Sequence, residues 1–504
     1  MKKSGKALAL VLAVIMTAAV VFSSCARSGS GNDTTGETER PGTETTSGEP
    51  VTEPGGWEKY TADVPTIKMN GRSVTFLSAN WASYDYQTHE IFAEEYTTEP
   101  INDAMFDRII YMEDKYDCEI KVIAAYNASQ GHEMLTQSIL SDDENQSYDF
   151  YLDKLNRYSE MSVQGYLLDL GTLKYCDFTR PYWDSDSYND LSYFGYHFAV
   201  CGDVTLVDKD YTGMLVFNKE MYEDIFVGEE LPYEIVRRGE WTFDKLYEIA
   251  GKAASDDVDN ERWGLAIFRD TLLTFMVGGG YRIGYKDEND KPVISLAEKT
   301  TMDWSLHLME KFNDTATVLN IHSLSEGDGG SGTLAAMFED EKDLISYVRG
   351  NEVEFFRQTI EFDFGILPTP KSTELQKDYY TDVNPWGGVC LTMPVNARGV
   401  DELSAFIEDF ACQGRNTVIP KYYDVLLDFR YAKDEDSQEM LDIVFSHRLY
   451  DVGAIGNWNN FAYDYIAMTT KHDTNLQSFI NSNLESINLQ IDYFERKVKE
   501  KNPI

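Results

Sequence analysis

The apolar and polar positions of the chain alternate between two periods. Ser73 to Asn80, SVTFLSAN, is a β-rich apolar run and predicts a strand. Ile101, Met105, Ile109 and Met112 recur at helical spacing, and Cys118 to Ala124 (CEIKVIA) alternates as a strand does. A helix around Glu133 to Leu140 and a strand over Tyr148 to Leu152 follow. This β-α-β-α-β order predicts a parallel sheet with helices on its faces. Further strand signals are YHFAV, GMLVFN, WGLAIF, DLISYV, FGILP and GVCLTMP. Helices are expected over Thr242 to Ala254, Thr301 to Phe312, Asp401 to Cys412 and Gln438 to Arg448. In the last helix Ile480, Leu484, Ile487, Ile491, Phe494 and Val498 recur at steps of four and three, a stripe that packs on the protein's own lobe or on a coiled-coil partner.

The amino end has a different pattern. MKKSGK is basic, and an apolar run from Ala7 to Phe22 follows, broken by Thr17. A basic segment before a short apolar one is the design of a secretory signal peptide. The run is short for a membrane span, which needs about 20 apolar residues. Its end, Phe22-Ser23-Ser24-Cys25, resembles the bacterial lipobox, whose cysteine is lipidated and becomes the first mature residue. Residues 1–24 are therefore expected to be the leader and Cys25 the lipid anchor. Ala26 to Gly56 is rich in Gly, Ser, Thr, Glu and Pro, a composition that stays disordered. As a flexible coil this spacer reaches roughly 30 Å. An ordinary signal peptide with an incidental cysteine is the other reading of the same residues.

About 450 of the 504 residues remain, and a chain of that size divides into two lobes. The formal charge of −42 repels nucleic acid and anionic headgroups. Beyond Cys25, the five cysteines Cys118, Cys176, Cys201, Cys390 and Cys412 are scattered, with no C-x-x-C, so neither a disulfide framework nor a zinc site is indicated.

The lipobox and acidic spacer precede several stretches that occur in a recognisable order. They are FDRIIYMEDKYDCEIKV, SYDFYLDKLNRYSEMSVQGYLLDL, GMLVFNKEMYED, GEWTFDKLYEIAGKA, FDFGILPTPK and NPWGGVCLTMP. Together they resemble the family 1 extracellular solute-binding proteins, lipoprotein receptors of sugar-importing ABC transporters in Gram-positive bacteria. The likeness runs from about Arg72 to past Trp458, although the central region is longer than the family's. The resemblance implies an α/β, two-lobed, periplasmic-binding-protein-like fold of type II, with three interlobe crossings and a ligand cleft between the lobes. The crossings fall near Val204 to Met214, Gly365 to Pro370 and Arg415 to Pro420. One lobe would comprise 64–206 plus 368–416, the other 207–367 plus 417–504. The resemblance further implies a monomer on the extracellular face of the membrane, held there by its amino-terminal lipid. It would close on a carbohydrate by hinge motion and pass it to ABC permease subunits, without catalysis or cofactor.

A saccharide site needs flat apolar faces and hydrogen-bonding side chains. In parallel sheets ligands meet the loops at the carboxyl ends of strands. Loops of that kind offer Trp81, Tyr84 and Tyr86 after the first strand, and Asp153 and Asn156 after YDFYL, with Tyr151 at the strand end. MVGGGYR offers Gly279 for close backbone approach and Tyr281 for stacking. DVNPWGG offers Asn384 and Trp386, and GAIGNWNN offers Asn457 and Trp458. Trp241 and Trp263, at a helix start and a strand start, read as structural, and Pro181-Tyr182-Trp183 is expected between helices of the first lobe.

Other chemistries find little support. GDGGSG (Gly327 to Gly332) satisfies G-x-G-x-x-G but follows a polar stretch rather than a strand. The sequence contains no Walker motif, H-E-x-x-H or G-x-S-x-G. DSDSYND and SDDVDNE depart from the EF-hand loop, and no metal is expected. A receptor for peptides or another polar solute, or a surface-anchored glycan hydrolase or adhesin, remains as an alternative.

Overall fold

The computed structural model describes residues 51–52, 57–79, 91–141, 148–257, 261–323, 331–427 and 435–502. Cys25 and the leader, together with Trp81, Tyr84 and Tyr86, lie outside the described residues. At the end of the expected spacer, Val51–Thr52 pairs antiparallel with Glu58–Lys59. Two β-branched residues there favour extended backbone over coil, so the spacer reading overreaches at that point.

Nine strands build the two larger sheets. They are β1 (Arg72–Ala79), β2 (Cys118–Ala125), β3 (Phe150–Lys154), β4 (Gly213–Asn218), β5 (Trp263–Ile267), β6 (Val318–Asn320), β7 (Asp343–Arg349), β8 (Phe364–Leu367) and β9 (Val389–Thr392). The first sheet has the order β9-β3-β1-β2. β1 runs parallel to β2 and β3, and β9 returns antiparallel to β3, with Val389 opposite Lys154. Alternation along these strands feeds two cores. Val74, Phe76, Phe150, Leu152 and Leu391 face one, and Leu77, Ala79, Tyr151 and Cys390 face the other.

The helix Pro100–Tyr116 covers the first of these faces. Its entry is fixed by Glu99, whose carboxylate accepts from the amides of Ile101 and Asn102, and by Pro100 in the first turn. It ends where Asp117 turns left-handed at φ 50°. Met105, Ile109 and Met112 are buried as their spacing predicts. Beside them Arg108 is buried too, donating to the carbonyls of Ile91, Asp203 and Val204. The helix Val400–Gln413 closes the same face, its Phe410 ring 5.6 Å from that of Phe76. Its Glu408 accepts from the Tyr182 hydroxyl at 2.6 Å and the Trp183 indole at 2.7 Å, which seats that pair in the first lobe.

The second sheet has the order β6-β5-β7-β4-β8. β5 is parallel to β6 and β7, whereas β4 runs antiparallel to β7 and β8. Every residue of β4 is buried, which fits its uninterrupted apolar run. YHFAV forms no strand. Val200 alone bridges Leu391, because Phe194 and Gly195 turn the chain at positive φ and the His197 carbonyl accepts from the Leu170 amide instead of from a ladder partner.

The chain passes between the sheets three times, after β3, after β8 and after β9. The first two passages lie side by side: Thr212 bridges Val383, and Thr381–Asp382 runs parallel to Arg448–Leu449. In the third, the helix Val400–Gln413 continues through a π-turn, Gly414–Val418, into the helix Ile419–Leu426 on the second core. The architecture is thus α/β, with the two larger sheets each in its own lobe. The carboxyl-terminal helix Leu476–Lys501 buries Ile480, Ile487 and Ile491 in the core of the second sheet. Its Phe494 and Val498 enter a core of the first. No helix of the described residues is long and apolar enough to cross a membrane.

Candidate ligand-binding site

The passage between β8 and β9 lies against both sheets at their strand ends, and Asn384 organises it. The Asn384 amide donates to the Asp270 carboxylate, while its carbonyl oxygen accepts from the amides of Trp386 at 3.0 Å and Gly387 at 3.2 Å. Its backbone amide donates to the Tyr211 carbonyl at 2.8 Å. From the first sheet, the Lys154 ammonium donates to the Gly387 carbonyl at 2.9 Å and the Asn156 amide to the Pro385 carbonyl at 3.1 Å. Gly387 is required here, since a Cβ would lie 1.9 Å from the Tyr211 ring. Six polar contacts therefore hold one part-exposed indole, Trp386, between the lobes.

Trp386 meets Tyr463 edge to face at 6.2 Å and 73°. Tyr463 is 37% exposed on the helix Phe461–Thr470. Arg269 lies over its ring, 4.3 Å from the centroid, and donates to its hydroxyl at 2.8 Å. Arg269 and Asp270 follow β5 directly, before the helix Thr271–Gly278. Arg349 closes β7 and lies 5.5 Å from the ring centroids of both Tyr211 and Phe268. Burial disfavours its charged form, but Glu352 and Asp270 outweigh that and raise its pKa. The carboxyl ends of β5 and β7 thus present two aromatic rings, two guanidinium groups and an amide–carboxylate pair. Flat apolar faces beside fixed donors and acceptors suit a hydroxyl-rich ring compound.

The structure sorts the residues expected from the sequence. Asn384 and Trp386 come together in this cluster. Asn457 supports it from behind: it ends the helix Val452–Gly456 in a left-handed turn at φ 38°, and its side chain accepts from the amides of Ala462 and Tyr463. Trp458 packs over Gly456 and tilts against Phe494 at 6.4 Å, partly buried between cores of both sheets.

Tyr151 and Asp153 are fully buried and face the helix Ala128–Ser141 instead. Asp153 accepts from the Tyr151 hydroxyl at 3.0 Å and lies 2.7 Å from His132 Nε2, so their partners are protein groups. Burial would lower the His132 pKa, but hydrogen bonds to Asp153 and Glu160 raise it to about 9. At Gly279 the close approach is made by Trp304, whose indole a Cβ would meet at 2.6 Å. Tyr281 stacks on the same indole at 5.9 Å and 26°. At both positions the stacking and close approach are made with a protein side chain, Trp304. Trp241 is fully buried and donates to the Pro368 carbonyl, as its structural reading requires.

Sequence reasoning missed Arg269, Asp270, Arg349, Tyr211 and Tyr463. For the first three the signal was available, because FRD and R directly follow the strands WGLAI and DLISYV. Tyr463 had none, being brought in by a helix that ends far from any strand signal. No group of three or more His, Cys, Asp or Glu among the described residues is placed to hold a metal ion.

No protein-family model matches the sequence, and no curated protein matches it. Solved structures do resemble it. An ABC substrate-binding protein of Listeria monocytogenes in complex with cycloalternan is 12% identical, with a TM-score of 0.55 over 84% of this chain and 99% of that one. The cyclic α-maltosyl-1,6-maltose binding protein of Arthrobacter globiformis is likewise 12% identical, at 0.55 over 84% of this chain and 100% of that one. An extracellular solute-binding protein of Staphylococcus aureus in complex with maltose is 11% identical, at 0.55 over 84% and 99%. Many of the similar structures are sugar-binding proteins of ABC importers or family 1 extracellular solute-binding proteins. At these identities the likeness is one of fold, and this chain has the two-lobed, type II fold of the extracellular solute-binding proteins.

Proposed function

We propose that the protein is an extracellular receptor that captures a saccharide, an oligosaccharide by the number of aromatic groups available, and delivers it to the permease of an ABC importer. The observation that carries the reading is the Trp386–Tyr463 pair at the strand ends between the lobes, set among Asn384, Asp270 and two arginines. The ligands of the similar structures, cycloalternan, cyclic α-maltosyl-1,6-maltose and maltose, belong to the same chemical class. The protein binds without catalysing, works as a monomer, and is held at the outer face of the membrane by a lipid on Cys25. The lobes 64–206 plus 368–416 and 207–367 plus 417–504 close around the ligand by bending at the passages between the sheets.

Thermal unfolding against a panel of mono- and oligosaccharides and peptides tests this. A saccharide at a hundred times its dissociation constant adds about 2.7 kcal/mol of stability and raises Tm. It is recovered uncleaved after long incubation, and Trp386→Ala abolishes most of the shift. Stabilisation by peptides alone would remove the saccharide from the account, and a consumed glycan would make the protein a hydrolase.

A further inference from the structure

The chain carries 86 acidic residues against 44 basic ones, and many of its arginines pair with a carboxylate. Arg237 meets Glu234, Asp436 and Glu439, Arg349 meets Glu352, and Arg448 meets Asp184 and Asp208. Arg269 is different. Among the described residues no carboxylate lies within 4.0 Å of its guanidinium, and its one protein acceptor is the neutral Tyr463 hydroxyl. Its Nε is shielded from water and has no acceptor among the described residues. A charged donor left in that state is costly and calls for an acceptor from elsewhere.

The surroundings do not neutralise Arg269. The Asp270 carboxylate is next to it in sequence but is engaged by the Asn384 amide and faces Arg349 at 3.9 Å. Partial burial and then the Arg269 guanidinium push the pKa of the exposed His322 down, against the Asp270 carboxylate, which raises it. The Tyr463 ring lies against the guanidinium, its centroid 4.3 Å away. A guanidinium carries parallel N–H groups, the geometry that matches a carboxylate.

Building on the saccharide-receptor reading, we infer that the ligand is an acidic saccharide, a glycan containing uronic acid, and that Arg269 receives its carboxylate. Trp386 and Tyr463 supply the apolar faces for the rings. Asp270 and Asn384 receive hydroxyl groups on the side away from the acid.

Titration calorimetry on the full chain tests this with trimers of galacturonic, mannuronic and glucuronic acid, each beside its carboxyl-reduced neutral counterpart. At least one acid binds tenfold or more tightly than its neutral counterpart, and the preference shrinks as salt rises from 50 to 500 mM, concentrations chosen about a fewfold either side of physiological screening. Arg269→Gln brings the pair to within about twofold, chiefly by weakening the acid. Arg269→Lys, which keeps the charge but not the fork, falls between the two. An unchanged apo melting curve in both variants shows that they fold.

Neutral trimers binding as well as the acids would overturn the inference and leave the receptor reading standing. So would Arg269→Gln weakening acid and neutral forms equally, or sulfated neutral saccharides binding where the carboxylates do not. No binding by any saccharide would defeat the receptor reading itself, and this inference with it.

Discussion

At the scale of single residues, the structure separates groups that hold the fold from groups left for a ligand. His132 belongs to the first kind. It is buried between Asp153 at 2.7 Å and Glu160 at 3.4 Å, and its pKa stands at about 9 against an ordinary 6.5. The folded state therefore holds a proton that the unfolded chain gives up. The resulting stabilisation, about 3 kcal/mol at most, is whole below about pH 6.5 and is lost as pH rises through about 9. Asp210, Asp343 and Asp382, each pushed up to about 7 by burial, lose their contribution lower, between about pH 4 and 7. Melting temperature should thus fall between pH 6.5 and 9 in the native chain, and His132→Gln should flatten that decline. An equal slope in the variant would show that His132 is not the group responsible.

At the scale of elements, local patterns located most helices and strands, while long-range partners decided the site. GMLVFN is β4 residue for residue, and the helix expected over Asp401 to Cys412 extends by one residue at each end. Both patterns are contained in the segment itself. The site is not. Asn384 reaches Asp270 across 114 residues, and Arg269 reaches Tyr463 across 194, distances over which no period or spacing carries information. The antiparallel placing of β4, β8 and β9 was hidden for the same reason, since an apolar run does not name its neighbour. Trp304, at Gly279, shows the converse, a stacking partner sought in a ligand and supplied by a helix of the same lobe. The helix Phe461–Thr470 has its own local requirement, the Asn457 side chain that receives its first amides. Asn457→Ala should cost about 1 kcal/mol of stability, as loss of a helix cap does. It should also weaken ligand binding more than a surface substitution of equal cost, because Tyr463 is on that first turn; unchanged binding would free Tyr463 from this dependence.

At the scale of the molecule, the two lobes are joined by more than the chain passing between them. Arg448 sits beside the second passage and pairs with Asp208 of the first at 2.7 Å and with Asp184 at 2.6 Å. Tyr450 adds a hydrogen bond to the same Asp184 at 2.8 Å. Removing the cation would leave the largely buried Asp184 without a cation among the described residues and Asp208 with Lys209 at 3.3 Å, and Arg448→Ala should cost about 3 kcal/mol in unfolding by denaturant. A cost near zero would mean the carboxylates find other partners. The carboxyl-terminal helix, whose two halves enter cores of different sheets, is a second link, tied by Lys291 to Asp492 at 2.6 Å and to Glu495 at 2.8 Å.

Closure of the lobes on a saccharide at the Trp386–Tyr463 side is tested by small-angle scattering of the full chain with and without the stabilising saccharide. Closure predicts a smaller radius of gyration with saturating saccharide and no change for Trp386→Ala under the same conditions. A native chain that binds the saccharide with an unaltered scattering curve would contradict the account and describe a rigid adhesin.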